Sequence, residues 1–337
     1  FANHVIFASV IPELQTWTRN MAASQQYSGF LFGSWMAATL LGYVLLWYKN
    51  GKQEGWSTKT MRELLICSAC LSLVGAVAVL MCTNRPASSF SISVFAAGRI
   101  FAGLGAGMSL ASTRVFSMWI TPAAEQPMCN SRYTFYVSVG VGLGPLAGST
   151  LTYFISRICG PLQYSTDPVC GMHIALCLVM LLGGCRFPSP SEIDAEVANE
   201  IRESAAPFVV YESDAPEAVS DNGARRPRWV ICCCVFINLS RAVAISGLEV
   251  ATANILENGY GWSTVNVGWI VGSSYLLCIP QRLLHERCKH LLPINYWIRF
   301  GVATSVVGSA LFFKSVAALL FRGSSGRVGV LILSDVL

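Results

Sequence analysis

Charge is what this sequence of 337 residues has least of: Asp, Glu, Lys and Arg make up 12%, against 53% hydrophobic residues. A soluble globular domain carries roughly a quarter charged residues, and here the mean hydropathy is +0.53. So little polar surface excludes an ordinary water-soluble enzyme. It equally excludes a nucleic-acid-binding domain, because the net charge of +5 is dispersed over short loops rather than gathered on one basic face. Histidine is scarce too, with four scattered residues. No G-x-S-x-G, H-E-x-x-H or phosphate-loop pattern occurs. Hydrolytic and nucleotide chemistry thus lack their residues; neither cofactor nor metal is expected, and the chain is not read as an enzyme.

Thirteen cysteines do not form a disulfide framework. Most fall inside apolar runs, where a small polarizable side chain packs between helices. Cys67 and Cys70 make a C-x-x-C with no second pair or His spacing to complete a zinc site. Cys159 and Cys170, flanking one loop, are the candidate disulfide.

What the chain has in abundance is apolar runs long enough to cross about 30 Å of hydrocarbon. They are Ser28–Tyr48, Leu64–Cys82, Ser91–Met118, Tyr133–Ile155 and Cys170–Cys185, then Trp229–Ile255, Val265–Pro280, Tyr296–Phe313 and an unfinished run at Gly329–Leu337. Phe1–Ile11 is apolar but too short to span. Because the sequence begins without Met inside one apolar stretch and stops inside another, it reads as a fragment. Phe1–Ile11 is then the tail of a first helix and Gly329–Leu337 part of a tenth. The expectation is an all-α polytopic membrane protein embedded in the lipid bilayer. It has an N-terminal bundle at 1–187, a cytosolic acidic linker at 188–227 and a C-terminal bundle at 228–337.

The linker holds Glu192, Asp194, Glu196, Glu200, Glu203, Glu212, Asp214, Glu217 and Asp221, nine of the 18 acidic residues, and closes on Arg225-Arg226-Pro227-Arg228. Clustered charge with low hydrophobicity favours a flexible tether. Orientation follows from Lys and Arg, which are enriched in cytoplasmic loops. Lys49, Lys52, Lys59, Arg62, Arg225, Arg226, Arg228, Arg282, Arg287 and Lys289 share one side if every run spans once. The opposite side carries fewer, such as Arg19, Arg85 and Arg157.

One stretch appears twice, Gly29-Phe-Leu-Phe-Gly33-Ser34 and Gly268-Trp-Ile-Val-Gly272-Ser273, each near the start of a long apolar segment in a different half. Small residues at this spacing let helices approach closely in lipid, and halves that echo each other are a transporter architecture. Intramembrane charge supplies the remaining chemistry, since it is expensive in hydrocarbon and normally faces a cavity or partner. Arg99 and Arg114 lie on one run, Arg241 and Glu249 on another, the last two about two turns apart on one face. Arg99, near the start of its run, is either an interfacial snorkelling residue or a functional one; Arg114 is either a cytosolic-edge anchor or a site residue. Glu249 is either a proton relay or half of a structural salt bridge.

Gly98-Arg99-Ile-Phe-Ala-Gly103-Leu-Gly105-Ala-Gly107 is followed, one run later, by Gly140-Val-Gly142-Leu-Gly144-Pro145-Leu-Ala-Gly148. These resemble the R-x-x-x-G-x-G-x-G and G-x-x-x-G-P-x-x-G signatures of the major facilitator superfamily. Within it, Thr113-Arg114 and Pro122 after the first series, the Gly144-Pro145 bend, and Glu249 ahead of Gly261-Trp262-Ser263 resemble the SPX–MFS vacuolar phosphate transporters and related lysosomal facilitators. The resemblance implies the major facilitator fold of two six-helix bundles, about ten of twelve helices being present. It also implies a secondary active transporter working by alternating access on a small solute, phosphate or another inorganic anion, with protons as the coupling ion, in a vacuolar or endolysosomal membrane. Arg114, Arg241 and Glu249 become substrate or coupling candidates. Arg99, Gly103, Gly105, Gly107, Gly140, Gly144, Pro145, Gly148, Gly29, Gly33, Gly268 and Gly272 become structural-motif positions. The alternatives are an endolysosomal anion channel and a non-transporting scaffold or sensor with a transporter fold.

Overall fold

The structure is a computed structural model, and it describes residues 1–20, 26–50, 58–83, 88–122, 125–160, 167–187, 247, 250–288, 291, 293–312 and 328–331. Every regular element among them is a helix: α1 (Ala2–Asn20), α2 (Gln26–Asn50), α3 (Thr58–Thr83), α4 (Ser89–Ile120), α5 (Gln126–Cys159) and α6 (Asp167–Cys185). A π-helical turn, Ile255–Gly259, precedes α7 (Thr264–Cys288) and α8 (Ile294–Phe312). The chain separates into two units, one of Phe1–Phe187 with Glu249–Leu337 and one of Pro188–Leu248. The second unit contains the expected acidic linker and, Gly247 apart, lies outside the described residues.

Hydrocarbon accounts for the helices, because a segment with no water to bond must satisfy its own N–H and C=O groups. Four stretches, Tyr27–Leu46, Lys59–Cys82, Phe90–Met118 and Pro168–Cys185, are long and apolar enough to cross a bilayer. Large apolar side chains point outward along these and the other helices: Phe30, Val74, Met81, Phe154, Leu182 and Phe300 are each more than half exposed. Such a surface suits lipid.

The first helix corrects the sequence reading. The apolar run ends at Ile11, yet α1 continues to Asn20, carrying Glu13, Thr16 and Thr18 through the interior. Glu13 and Thr18 are buried, so polar groups that hydropathy counts against a span are covered by protein. At 19 residues the helix is about 28 Å long. α5 is similar, with Ser131, Arg132, Thr134 and Ser138 along a helix of 34 residues. Its Pro145 lies inside the helix without ending it; the missing N–H leaves one backbone carbonyl unpaired.

Glycine sets the crossings. α4 meets α2 through Gly103 and Gly107, where an added β-carbon would strike the backbone at Trp35 and Thr39, and meets α3 through Gly98 and Gly105, where it would strike Gly75 and Ser68. The two faces follow from spacing, four residues in the first case and seven in the second. Thr39 Oγ1 donates to the Gly103 carbonyl at 3.1 Å, a hydrogen bond that requires this proximity. Gly140, Gly144 and Gly148 of α5 receive α1, while Gly142 faces Leu276 of α7. From the other side, Gly268 and Gly272 of α7 sit against Ser149 and Leu146. Gly29 and Gly33, the matching pair of the repeat, have open space where a β-carbon would lie. The two copies therefore occupy α2 and α7 but do different work: only the α7 copy is at a close crossing.

Cys159, at the end of α5, is exposed and Cys170, in α6, is buried, and the suggested disulfide is not formed between them.

Gly107→Leu is expected to destabilise the protein by about 1–3 kcal/mol through overpacking, on the order of 5 °C in Tm. Gly33→Leu, into open space, is expected to change Tm far less, and thermal unfolding of the two purified variants compares them directly.

Candidate functional site

Polar groups converge inside the N-terminal helices. On α1, Ser9, Glu13 and Trp17 recur every four residues and share a face; their exposures are 0%, 1% and 1%. Trp17 meets Phe95 of α4 edge-on, ring centroids 5.2 Å apart. Arg99 is one turn beyond Phe95. The crossings pair Trp35 with Gly103 and Thr39 with Gly107, so α2 and α4 run parallel and α1 opposes both. Stepping back one turn from Trp17 and forward one turn from Phe95 brings Glu13 and Arg99 to the same level of the bundle.

Around this level the neighbours are polar as well. His173 of α6 is buried and its Nε2 lies 2.7 Å from Ser9 Oγ. Thr152 Oγ1 of α5 donates to Glu13 Oε1 at 3.5 Å. Arg99 itself, 2% exposed, places its guanidinium over the Trp35 ring, 5.9 Å from the centroid. A buried cation on an indole face gains on the order of 2 kcal/mol, well short of the cost of taking a charge out of water.

Its hydrogen bonds make the deficit plain. Arg99 Nε and Nη2 have no partner, and neither do the indole nitrogens of Trp17 and Trp35. All four are buried donors, and an unmade buried hydrogen bond costs about 1–3 kcal/mol, more when charged. What these donors lack is an acceptor within hydrogen-bond reach. Glu13 supplies a carboxylate to the same core, a group able to take up or release a proton.

Each residue singled out from the sequence has a definite place or none. Arg99 is enclosed within the bundle and does not snorkel to an interface. Arg114 is exposed; it donates to Asn130 Oδ1 at 2.9 Å and lies over the Tyr133 ring at 5.9 Å, tying α4 to α5. Fifteen residues separate it from Arg99, about 22 Å along the helix, so the two do not share a site. Arg241 and Glu249 lie outside the described residues. Glu13 and His173 escaped the sequence reading. The four-residue spacing of Ser9, Glu13 and Trp17 carries the signal for Glu13, but it runs past Ile11, where the apolar run ends. A cavity of about 260 Å³ between α2, α3 and α4, lined by Leu45, Leu46, Thr60, Glu63, Leu64, Cys67 and Met108, involves none of the core polar groups.

Membrane-crossing helices enclose a buried arginine with unpaired donors, an arrangement that suits a multi-pass membrane transporter. The description "Major Facilitator Superfamily" matches residues 1–334, and the chain belongs to that family. Among solved structures it is similar to the xylose transporter XylE from E. coli in an inward-open conformation, with 15% identity, 99% of this chain and 77% of that chain covered and a TM-score of 0.61. It is similar as well to XylE in a partially occluded inward-open conformation, with 14% identity, 99% and 79% coverage and a TM-score of 0.61. A third, the proton:xylose symporter XylE bound to 6-bromo-6-deoxy-D-glucose, has 13% identity, 99% and 76% coverage and a TM-score of 0.64. At these identities the likeness shows the fold. No curated protein matches the chain. The fold is thus the major facilitator fold, and the chain is a secondary transporter of that kind rather than an enzyme.

Arg99→Leu tests whether the buried cation serves stability. Replacing an unsatisfied buried charge by an apolar side chain is expected to leave the Tm unchanged or to raise it, the equivalent of about 0–4 kcal/mol. A structural arginine would show a fall of several degrees in the same thermal scan.

Proposed function

We propose that the protein is a proton-coupled carrier of a small oxyanion, phosphate or a close analogue, in a vacuolar or endolysosomal membrane. One observation carries the reading: Arg99 is buried with Nε and Nη2 unpaired, in a core where Trp17 and Trp35 also present unpaired N–H groups. An oxyanion brings the acceptors these donors lack, and its charge offsets that of the guanidinium. A neutral apolar solute would leave both the charge and the donors unsatisfied.

Glu13 supports the proton half of the proposal. Its carboxylate is enclosed by α1 and α5, so protonation relieves the cost of burying its charge. Entry of an anion at Arg99 with a proton at Glu13 moves little net charge through the hydrocarbon, which favours symport over passage of the anion alone. Alternating access then exposes the core to each side in turn. The vacuolar or endolysosomal assignment, and membership of the SPX–MFS and lysosomal facilitator group, are supported by the Gly98–Gly107 series, Thr113-Arg114 and Gly144-Pro145. Arg241 and Glu249 remain coupling candidates of this same proposal.

The test is labelled-phosphate counterflow in proteoliposomes, with and without a pH gradient. Saturable counterflow stimulated by an acid exterior is expected. Arg99→Leu should reduce it about 10- to 100-fold, the equivalent of the 1.5–3 kcal/mol of a charged hydrogen bond. Glu13→Gln should retain exchange but lose the response to the pH gradient. Chloride current without counterflow would replace the carrier with a channel. Counterflow of labelled xylose but not phosphate would assign the buried donors to hydroxyl groups and remove the anion.

A further inference from the structure

A second titratable group lies away from the Arg99 core, at the end of the molecule opposite the basic loops. There the last turn of α1 meets the π-helical turn Ile255–Gly259. Arg19 Nη1 is 3.5 Å from Glu257 Oε1, and Arg19 Nη2 donates to Asn258 Oδ1. One turn earlier, the hydroxyls of Thr16 and Thr264 are 3.3 Å apart. Behind these contacts Trp17, Leu256, Val267, Val328 and Leu331 belong to one buried cluster. The junction therefore joins the last turns of α1 to the π-helical turn and to the start of α7.

Its ion pair is lopsided. The Glu257 side chain is 9% exposed and that of Arg19 is 58% exposed. An arginine mostly in water is screened and returns little to its partner, whereas the cost of dehydration falls on the buried carboxylate. Burial accordingly pushes the Glu257 carboxyl above its ordinary value, with Arg19 opposing in second place. Among the described residues, Arg19 is the charged group that faces it. On its own turn the neighbours are Asn254 and Asn258; the start of α7 offers Thr264; residues 328–331 are Val, Gly, Val and Leu. The backbone here is irregular as well: a π turn, a common feature of functional sites, runs into Gly261 at φ +69°, a conformation suited to glycine.

We propose that Glu257 is a proton-binding site on the gate facing away from the basic loops, and that this gate closes with a proton bound. The sign follows from linkage. In the closed junction the carboxylate is dehydrated, and when the junction parts it returns to water. The closed state therefore binds the proton more tightly, and acid on that face stabilises closure, while rising pH favours opening. A simple salt-bridge latch would behave the other way, loosening as Glu257 is neutralised. The site is independent of the anion core and requires only that the two ends of the bundle open in turn.

The test is a spin-label distance measurement on protein with its reactive native cysteines replaced and labels at the exposed positions Ile158 and Ala310. The short-distance, closed population relative to the open one should grow roughly three- to tenfold as pH falls from about 7.5 to about 5, within the tenfold per pH unit that one proton allows. Glu257→Gln should be closed at every pH, with no titration. Arg19→Gln should keep the titration but move its midpoint to higher pH, because the opposing cation is gone. A gate opened by acid, a gate opened by Glu257→Gln, or a titration that survives Glu257→Gln would each overturn the proposal. Thermal unfolding of the two variants confirms that they are folded before distances are compared.

Discussion

The close backbone approach of α4 to α2 and α3 is the constraint on which the rest of the structure depends. Lipid provides no hydrophobic force between helices, so van der Waals contact and interhelical hydrogen bonds must hold them. Gly103 and Gly107 on one face and Gly98 and Gly105 on another bring the α4 backbone against two neighbours at once. With α2 and α3 drawn in, Arg99 has nowhere to reach water, and the Trp35 ring covers it. The unsatisfied core is thus a consequence of tight packing. The glycines that stabilise the bundle also create the site.

α5 plays the corresponding part between the halves. Gly140 and Gly144 receive α1, Gly142 receives α7, and Trp269 Nε1 donates to Thr150 Oγ1 at 3.2 Å. Toward the basic loops Arg282 reaches Ser131 Oγ at 3.1 Å. One helix therefore bears the crossing along its whole length while also supplying Thr152 to Glu13. A tilt at the α5–α7 seam is felt at the polar core without any intermediary, which suits a carrier whose core faces two sides in turn.

Much of this was legible beforehand. The runs at Ser28–Tyr48, Ser91–Met118 and Val265–Pro280 lie within α2, α4 and α7, and the helices extend a few residues beyond them because polar ends in a headgroup region do not stop a helix. The glycine series announced both close crossings and the superfamily. What hydropathy concealed was α1 beyond Ile11, since Glu13 and Thr18 are polar and yet shielded by protein. It was equally silent on Arg99, because a one-dimensional pattern does not say whether a residue near the start of a run faces headgroups or the interior. The repeat was legible as sequence but not in its effect: Gly268 and Gly272 sit at a crossing and Gly29 and Gly33 do not, a difference set by which neighbour each helix has.

The central claim is that an oxyanion at Arg99 and a proton at Glu13 are bound together. It is tested most directly by titration calorimetry of the solubilised protein with phosphate, in buffers of differing ionisation enthalpy. The account predicts binding accompanied by uptake of a proton, with the linkage lost in Glu13→Gln and the binding lost in Arg99→Leu. Phosphate that binds with no proton taken up beyond its own ionisation, or binding that survives the loss of Arg99, would contradict it.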